Sequence, residues 1–176
     1  MRILVIDDLE QNIMSAKQTL AGHEVTTIDN IKDAYEFLKG SFATQGFHAL
    51  LTDLHMPLGP KFEGNMSYPW KNRPETLPAG AIFALKAAGL GIRTVICTDA
   101  SHHADWMCTL LDVVGFWHKE KRLVSFVDAD CAHLSAFWDP DKKEIIPDQE
   151  WYKKGTAVKD WNKAMEESGL FPELFT

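Results

Sequence analysis

Two short apolar runs in this chain end in carboxylates. Ile3-Leu4-Val5-Ile6 leads into Asp7 and Asp8, and Phe47 to Thr52 leads into Asp53, after which the chain turns at Met56-Pro57. Proline lacks an N–H donor, so Pro57 cannot continue a central strand and Asp53 is left at a strand end. If the two runs are neighbouring strands, Asp7, Asp8 and Asp53 converge, and carboxylates gathered in a partly dry site repel one another. Something positive is required there. Oxygen-only ligands suit Mg2+, which takes one or two carboxylates plus a phosphate and keeps several waters. One carboxylate can attack phosphorus while the others hold the ion, so the chemistry indicated is phosphoryl transfer. A hydroxyl and a cation are wanted on the other phosphoryl oxygens, and Thr98 and Lys119, each following a later apolar segment, are placed for those roles.

These residues need elements to position them. The chain has 176 residues, 45% of them hydrophobic, which suits one domain with a sizeable core. Arg2 to Ile6 reads as a strand covered on both faces, followed by a helix from Gln11 to Ala21 with Ile13, Ala16 and Leu20 on one face. A second strand fits Glu24 to Ile28, and Asn30 caps a helix over Ile31 to Lys39. After the strand that ends at Asp53, a helix fits Ala79 to Ala88, a strand Thr94 to Thr98, a helix Ser101 to Val114 and a short strand Phe116 to His118. Strands and helices alternating with short connections imply right-handed crossovers and a parallel α/β sheet.

Two stretches interrupt the alternation. Residues 58–77 carry Pro60, Pro69 and Pro74 without helical or strand period, and their aromatic Phe62, Tyr68 and Trp70 suit a lid over the strand ends or a plain surface insertion. Beyond residue 121, a hairpin is expected at about 132–147 around Asp139-Pro140-Asp141-Lys142, then a helix capped by Thr156 and running to Ser168. Val158, Trp161 and Met165 share a face of that helix, which we expect to complete the sheet domain from within a C-terminal extension of residues 122–176.

Composition excludes several classes. Eighteen basic against 25 acidic residues give a formal charge of −7 with no basic run, which disfavours direct nucleic-acid binding. Cys97, Cys108 and Cys131 lack metal-finger spacing, Met1-Arg2 leads straight into a strand, and no apolar stretch is long enough to span a bilayer. A soluble, cytoplasmic protein without membrane partners is expected.

The segments V-I-D-D at 5–8, L-L-T-D-L-H-M-P at 50–57, I-C-T at 96–98 and the lysine at 119 resemble, in order, the receiver domain of two-component response regulators. The likeness spans about residues 1–121. It implies a flavodoxin-like, doubly wound, five-stranded sheet of order 2-1-3-4-5, in which Asp53 accepts a phosphoryl group from a histidine kinase or phosphotransfer protein. It further implies that Asp8 binds Mg2+ directly with Asp7 assisting and Asp53 and the His55 carbonyl contributing. Thr98 and Lys119 would contact the phosphoryl oxygens, and Phe116 would turn with Thr98 as the switch that signals to an output partner. Such a domain is a phosphoacceptor, not a turnover enzyme.

Departures from the pattern set the alternatives. Asp99 follows the threonine where receivers carry a small residue, and it also suits a helix cap; Glu120 stands where the family has proline, making Lys121 a rival to Lys119. These features, with the long loop, allow a pseudo-receiver that binds protein without phosphorylation, and a metal-dependent phosphatase is a third class. His102-His103 with Asp105 and Cys108 read as a solvated helical turn with a buried thiol, and Asp128-Ala129-Asp130 lacks the context of an acidic phosphatase motif. Trp70, Trp138 and Trp151 fall in the atypical segments and offer a partner surface.

Overall fold

The computed structural model describes residues 1–57, 76–98, 123–128, 133–134, 136–139, 142, 144–147 and 158–175. Its centre is a five-stranded sheet built from β1 (Arg2–Ile6), β2 (Glu24–Ile28), β3 (Ala49–Thr52), β6 (Arg93–Thr98) and β7 (Val124–Asp128). The order is β2-β1-β3-β6-β7 and every pairing is parallel, which is the flavodoxin-like order 2-1-3-4-5. Two-residue ladders flank it: β4 (Met56–Pro57) with β5 (Thr76–Leu77), and β8 (His133–Leu134) with β11 (Val158–Lys159). A hairpin of β9 (Ala136–Asp139) and β10 (Glu144–Pro147) occupies the expected place, its turn closed by the Lys142 N–H donating to Asp139 at 3.1 Å.

Both faces of the sheet are covered, which explains the unbroken apolar run of β1. Ile3 and Val5 face α1 (Glu10–Thr19) and α4 (Trp161–Ser168), packing with Ala16, Leu20, Trp161 and Met165. Leu4 and Ile6 face the other way, against Ala34 and Leu38 of α2 (Ile31–Gly40) and Phe83 of α3 (Ala79–Ala88). Asn30 caps α2 as its sequence suggests, accepting from the Asp33 N–H at 2.8 Å. Among the described residues no helix is long and apolar enough to cross a membrane.

The fifth strand is a correction. Val124–Asp128 pairs with β6, whereas the sequence reading placed that strand at 116–118 and ended the core at 121. The physical reason is burial: Val-Ser-Phe-Val presents a longer apolar segment to the sheet than Phe-Trp-His, and Val124, Ser125 and Val127 are buried there. The last helix is the second correction. Val158 lies in an extended ladder, and Asp160 rather than Thr156 provides the cap, accepting from the Lys163 N–H at 3.0 Å. Gly169 then ends the helix with φ of 63°, a left-handed conformation that favours glycine. The helix expected from Ser101 and most of the loop from residue 58 lie outside the described residues.

Candidate functional site

The acidic residues are placed by the ladder itself. The Asp7 N–H donates to the Ile28 carbonyl at 3.2 Å and the Asp53 N–H to the Ile6 carbonyl at 2.9 Å, so both acids stand one step beyond the strand ends. Asp7 is completely buried and Asp53 is 8% exposed. Gly80, in the first turn of α3, backs the Asp53 main chain: a Cβ at this position would lie 1.9 Å from the Asp53 carbonyl oxygen. Only glycine permits that approach.

The cation of the site is Lys159. Its ammonium lies 2.8 Å from Asp7 Oδ2 and 2.9 Å from Asp53 Oδ1, bridging the two acids from a position itself 6% exposed. It also sits 5.3 Å from the centre of the Trp161 ring, within cation–π range. Sequence reasoning missed this residue. A signal was present: Lys159 stands between a β-branched Val158 and a helix-capping Asp160, the strand–lysine–helix arrangement sought at 116–119. Lys119, Lys121, Phe116 and Asp99 all lie outside the described residues, and the premise that Lys119 follows the fifth strand does not hold.

Asp7 is fully engaged. Its Oδ1 accepts from the Leu9 N–H at 2.9 Å, and Asn12 Nδ2 lies 3.1 Å from both of its oxygens. Asp8, beside it, is half-buried, and burial first and the neighbouring Asp7 second raise its carboxyl above the ordinary range. Burial likewise raises Asp53, and the Lys159 ammonium only partly offsets that effect. For Lys159, burial pulls the ammonium down, yet Asp7 and Asp53 outweigh it and hold it above the ordinary lysine range. One ammonium therefore serves a group of acids that together carry more negative charge than it neutralises.

That imbalance, with donors that are all oxygen, fits a hard dication. Asp8, Asp53 and the carbonyl of the half-buried His55 are the groups that would hold it, since both Asp7 oxygens are occupied. Two carboxylates suffice for Mg2+, which keeps its remaining waters. Among the described residues, no three His, Cys, Asp or Glu side chains are arranged to grip a metal on their own. Thr98, 1% exposed, ends β6 at the same edge, and its Cα partner in β7 is Asp128.

No protein-family model matches the chain, and no curated protein matches it. Among solved structures, a response regulator receiver domain protein from Clostridium thermocellum matches with a TM-score of 0.45 and 18% sequence identity, over 99% of this chain and 98% of that one. The fold assignment stands on strand order and register.

Proposed function

We propose that the chain is a phosphoacceptor signalling domain, in which Asp53 takes a phosphoryl group from a histidine kinase or phosphotransfer protein and thereby changes a protein-binding surface. The observation that carries this reading is the Lys159 ammonium bridging Asp7 and Asp53 at the carboxyl edge of a flavodoxin-like sheet. Lys159 holds Asp53 Oδ1, leaving the second carboxylate oxygen as nucleophile. That oxygen forms the bond to phosphorus as the donor's P–N or P–O bond breaks, and the electron pair leaves with the donor's imidazole or acetate. Lys159 then neutralises the added phosphoryl charge, and the buried Thr98 offers a hydroxyl at the same edge. Bound at Asp8 and Asp53, Mg2+ would supply further neutralisation of the transferring oxygens. The domain is modified once and does not turn over a substrate.

Intact-mass spectrometry after incubation with acetyl phosphate tests the reading. The expected result is one labile phosphoryl adduct that requires Mg2+ and is absent from Asp53→Asn. An adduct that persists in Asp53→Asn removes the assignment. A second reading, a pseudo-receiver that binds protein without phosphorylation, is favoured by the full engagement of Asp7, whose two oxygens already have protein partners. It predicts no adduct from folded protein under any of these conditions.

A further inference from the structure

A polar stripe, buried at Asn12 and Ser15 and half-buried at Thr19, runs along α1 beside its apolar face. Asn12, Ser15 and Thr19 recur at spacings of three and four, so they share one side of the helix. Each is bonded to the main chain of residues 159–161. The Lys159 N–H donates to Asn12 Oδ1 at 3.1 Å, Ser15 Oγ donates to the Lys159 carbonyl, and the Trp161 N–H donates to Thr19 Oγ1 at 3.3 Å. The Trp161 indole adds a fourth tie, its Nε1 donating to the Asn12 carbonyl at 2.9 Å.

Asn12 differs from the other two because its side chain also reaches the charges. Its amide nitrogen donates to both oxygens of Asp7 while its amide oxygen accepts from the backbone of Lys159. One 4%-exposed side chain therefore fixes the Asp7 carboxylate and the backbone from which the Lys159 ammonium extends. No other described side chain bonds to both.

We propose that Asn12 is a positioning residue: it sets the Lys159 ammonium over Asp53 by holding Asp7 and the Lys159 main chain in one register. The inference deepens the phosphoacceptor reading, but its central observable, the burial of the lysine amine, does not depend on that reading.

The test compares Asn12→Ala with the wild type and with Leu38→Ala, a core truncation on the opposite face of the sheet. Folded protein is treated with limiting acetic anhydride, and acetylation of Lys159 is read by peptide mass against the exposed Lys17, Lys32 and Lys39. Asn12→Ala should acetylate Lys159 about tenfold faster than the wild type, the scale expected when a hydrogen bond to a charged group is lost. Leu38→Ala, even with an equal or larger fall in Tm, should leave the rate within about twofold, because its cavity does not touch the stripe. Equal acceleration in both variants, or none in Asn12→Ala, overturns the proposal. Should Asn12→Ala fail to fold, Asn12→Ser replaces it, and an unchanged Lys159 rate in that variant is equally decisive. Acetyl phosphate labelling of the same samples separates the two claims. An unlabelled wild type with an accelerated Asn12→Ala amine refutes the phosphoacceptor reading alone, and a labelled wild type with an unchanged amine refutes the positioning role alone.

Discussion

At the amino edge of the sheet, Arg2 pairs with Glu24 and Arg93 with Glu173, each at 2.6 Å, and the four side chains are between 29% and 63% exposed. At the carboxyl edge, Lys159 pairs with Asp7 and Asp53 at similar distances, but those side chains are between 0% and 12% exposed. The same chemistry therefore has two different consequences. At the amino edge water screens the charges, so each pair adds little and either partner can be lost. Arg93 there also lies over the Phe171 ring at 4.3 Å and donates to the Leu170 carbonyl, which makes it chiefly a clasp for the C-terminal residues. At the carboxyl edge each charge has surrendered its hydration, and removing the shared ammonium leaves both acids without their counter-ion.

The contrast breaks most visibly at Lys159. Lys159→Met should cost about 3–5 kcal/mol in urea unfolding, the scale for uncovering a buried charge, and the added Asp53→Asn change should recover part of the loss. Arg93→Ala should cost no more than about 1 kcal/mol, and the Glu173 share of that cost should fade in about 1 M salt while the Phe171 and Leu170 contacts keep the rest. Equal losses at the two edges would end the distinction. An effect between those two is expected from Gly80→Ala, which forces the Asp53 main chain and α3 apart and should destabilise by about 1–3 kcal/mol, read as a lower urea midpoint with an unchanged slope.

The smallest effect sharpens the comparison through pH. Asp8 and Asp53 are held above the ordinary carboxylate value of 3.8, so each binds its proton more tightly folded than unfolded. Their contribution is present below the ordinary value and fades as pH rises through the raised one. Asp8→Asn should therefore gain stability over the wild type as pH climbs through that window, read as a rising Tm difference and worth less than about 1 kcal/mol because Asp8 is half in water. A constant Tm difference across the window would show that Asp8 carries no strain. Lys159 has the opposite reach: raised above its ordinary 10.5, it stabilises throughout the neutral range and is lost only at the alkaline end.

Much of this was visible before any coordinates. β1, β3 and β6 announce themselves as apolar runs, β2 by its β-branched Val-Thr-Thr-Ile, α2 by its Asn30 cap and α3 by Pro78 and Gly89, because those signals are local. The convergence of Asp7 and Asp53 followed from parallel pairing alone. What could not be read was which lysine returns to them. Lys159 is separated from Asp53 by 106 positions and from Asp7 by 152, and no periodicity spans such distances. Asn12 was hidden for a different reason. It looks like an ordinary polar position beside the Ile13, Ala16 and Leu20 face, and only the docking of residues 159–161 makes it an interior one. The expected rhythm favours 116–118 as the fifth strand because that aromatic segment comes first along the chain, whereas 124–128 is the segment that pairs with β6.

That separation of Lys159 from its acids bears on how the protein is made. A chain leaving the ribosome at about 5–20 residues per second presents β1, β2 and β3 long before Lys159 is available. A sheet formed from those strands alone would bring Asp7 and Asp53 together without their counter-ion, so its closure waits on Lys159. Contacts of such long range also slow the folding of the released chain. Pulse-labelled hydrogen exchange should accordingly find the edge around Asp53 less protected during early refolding than the amino edge.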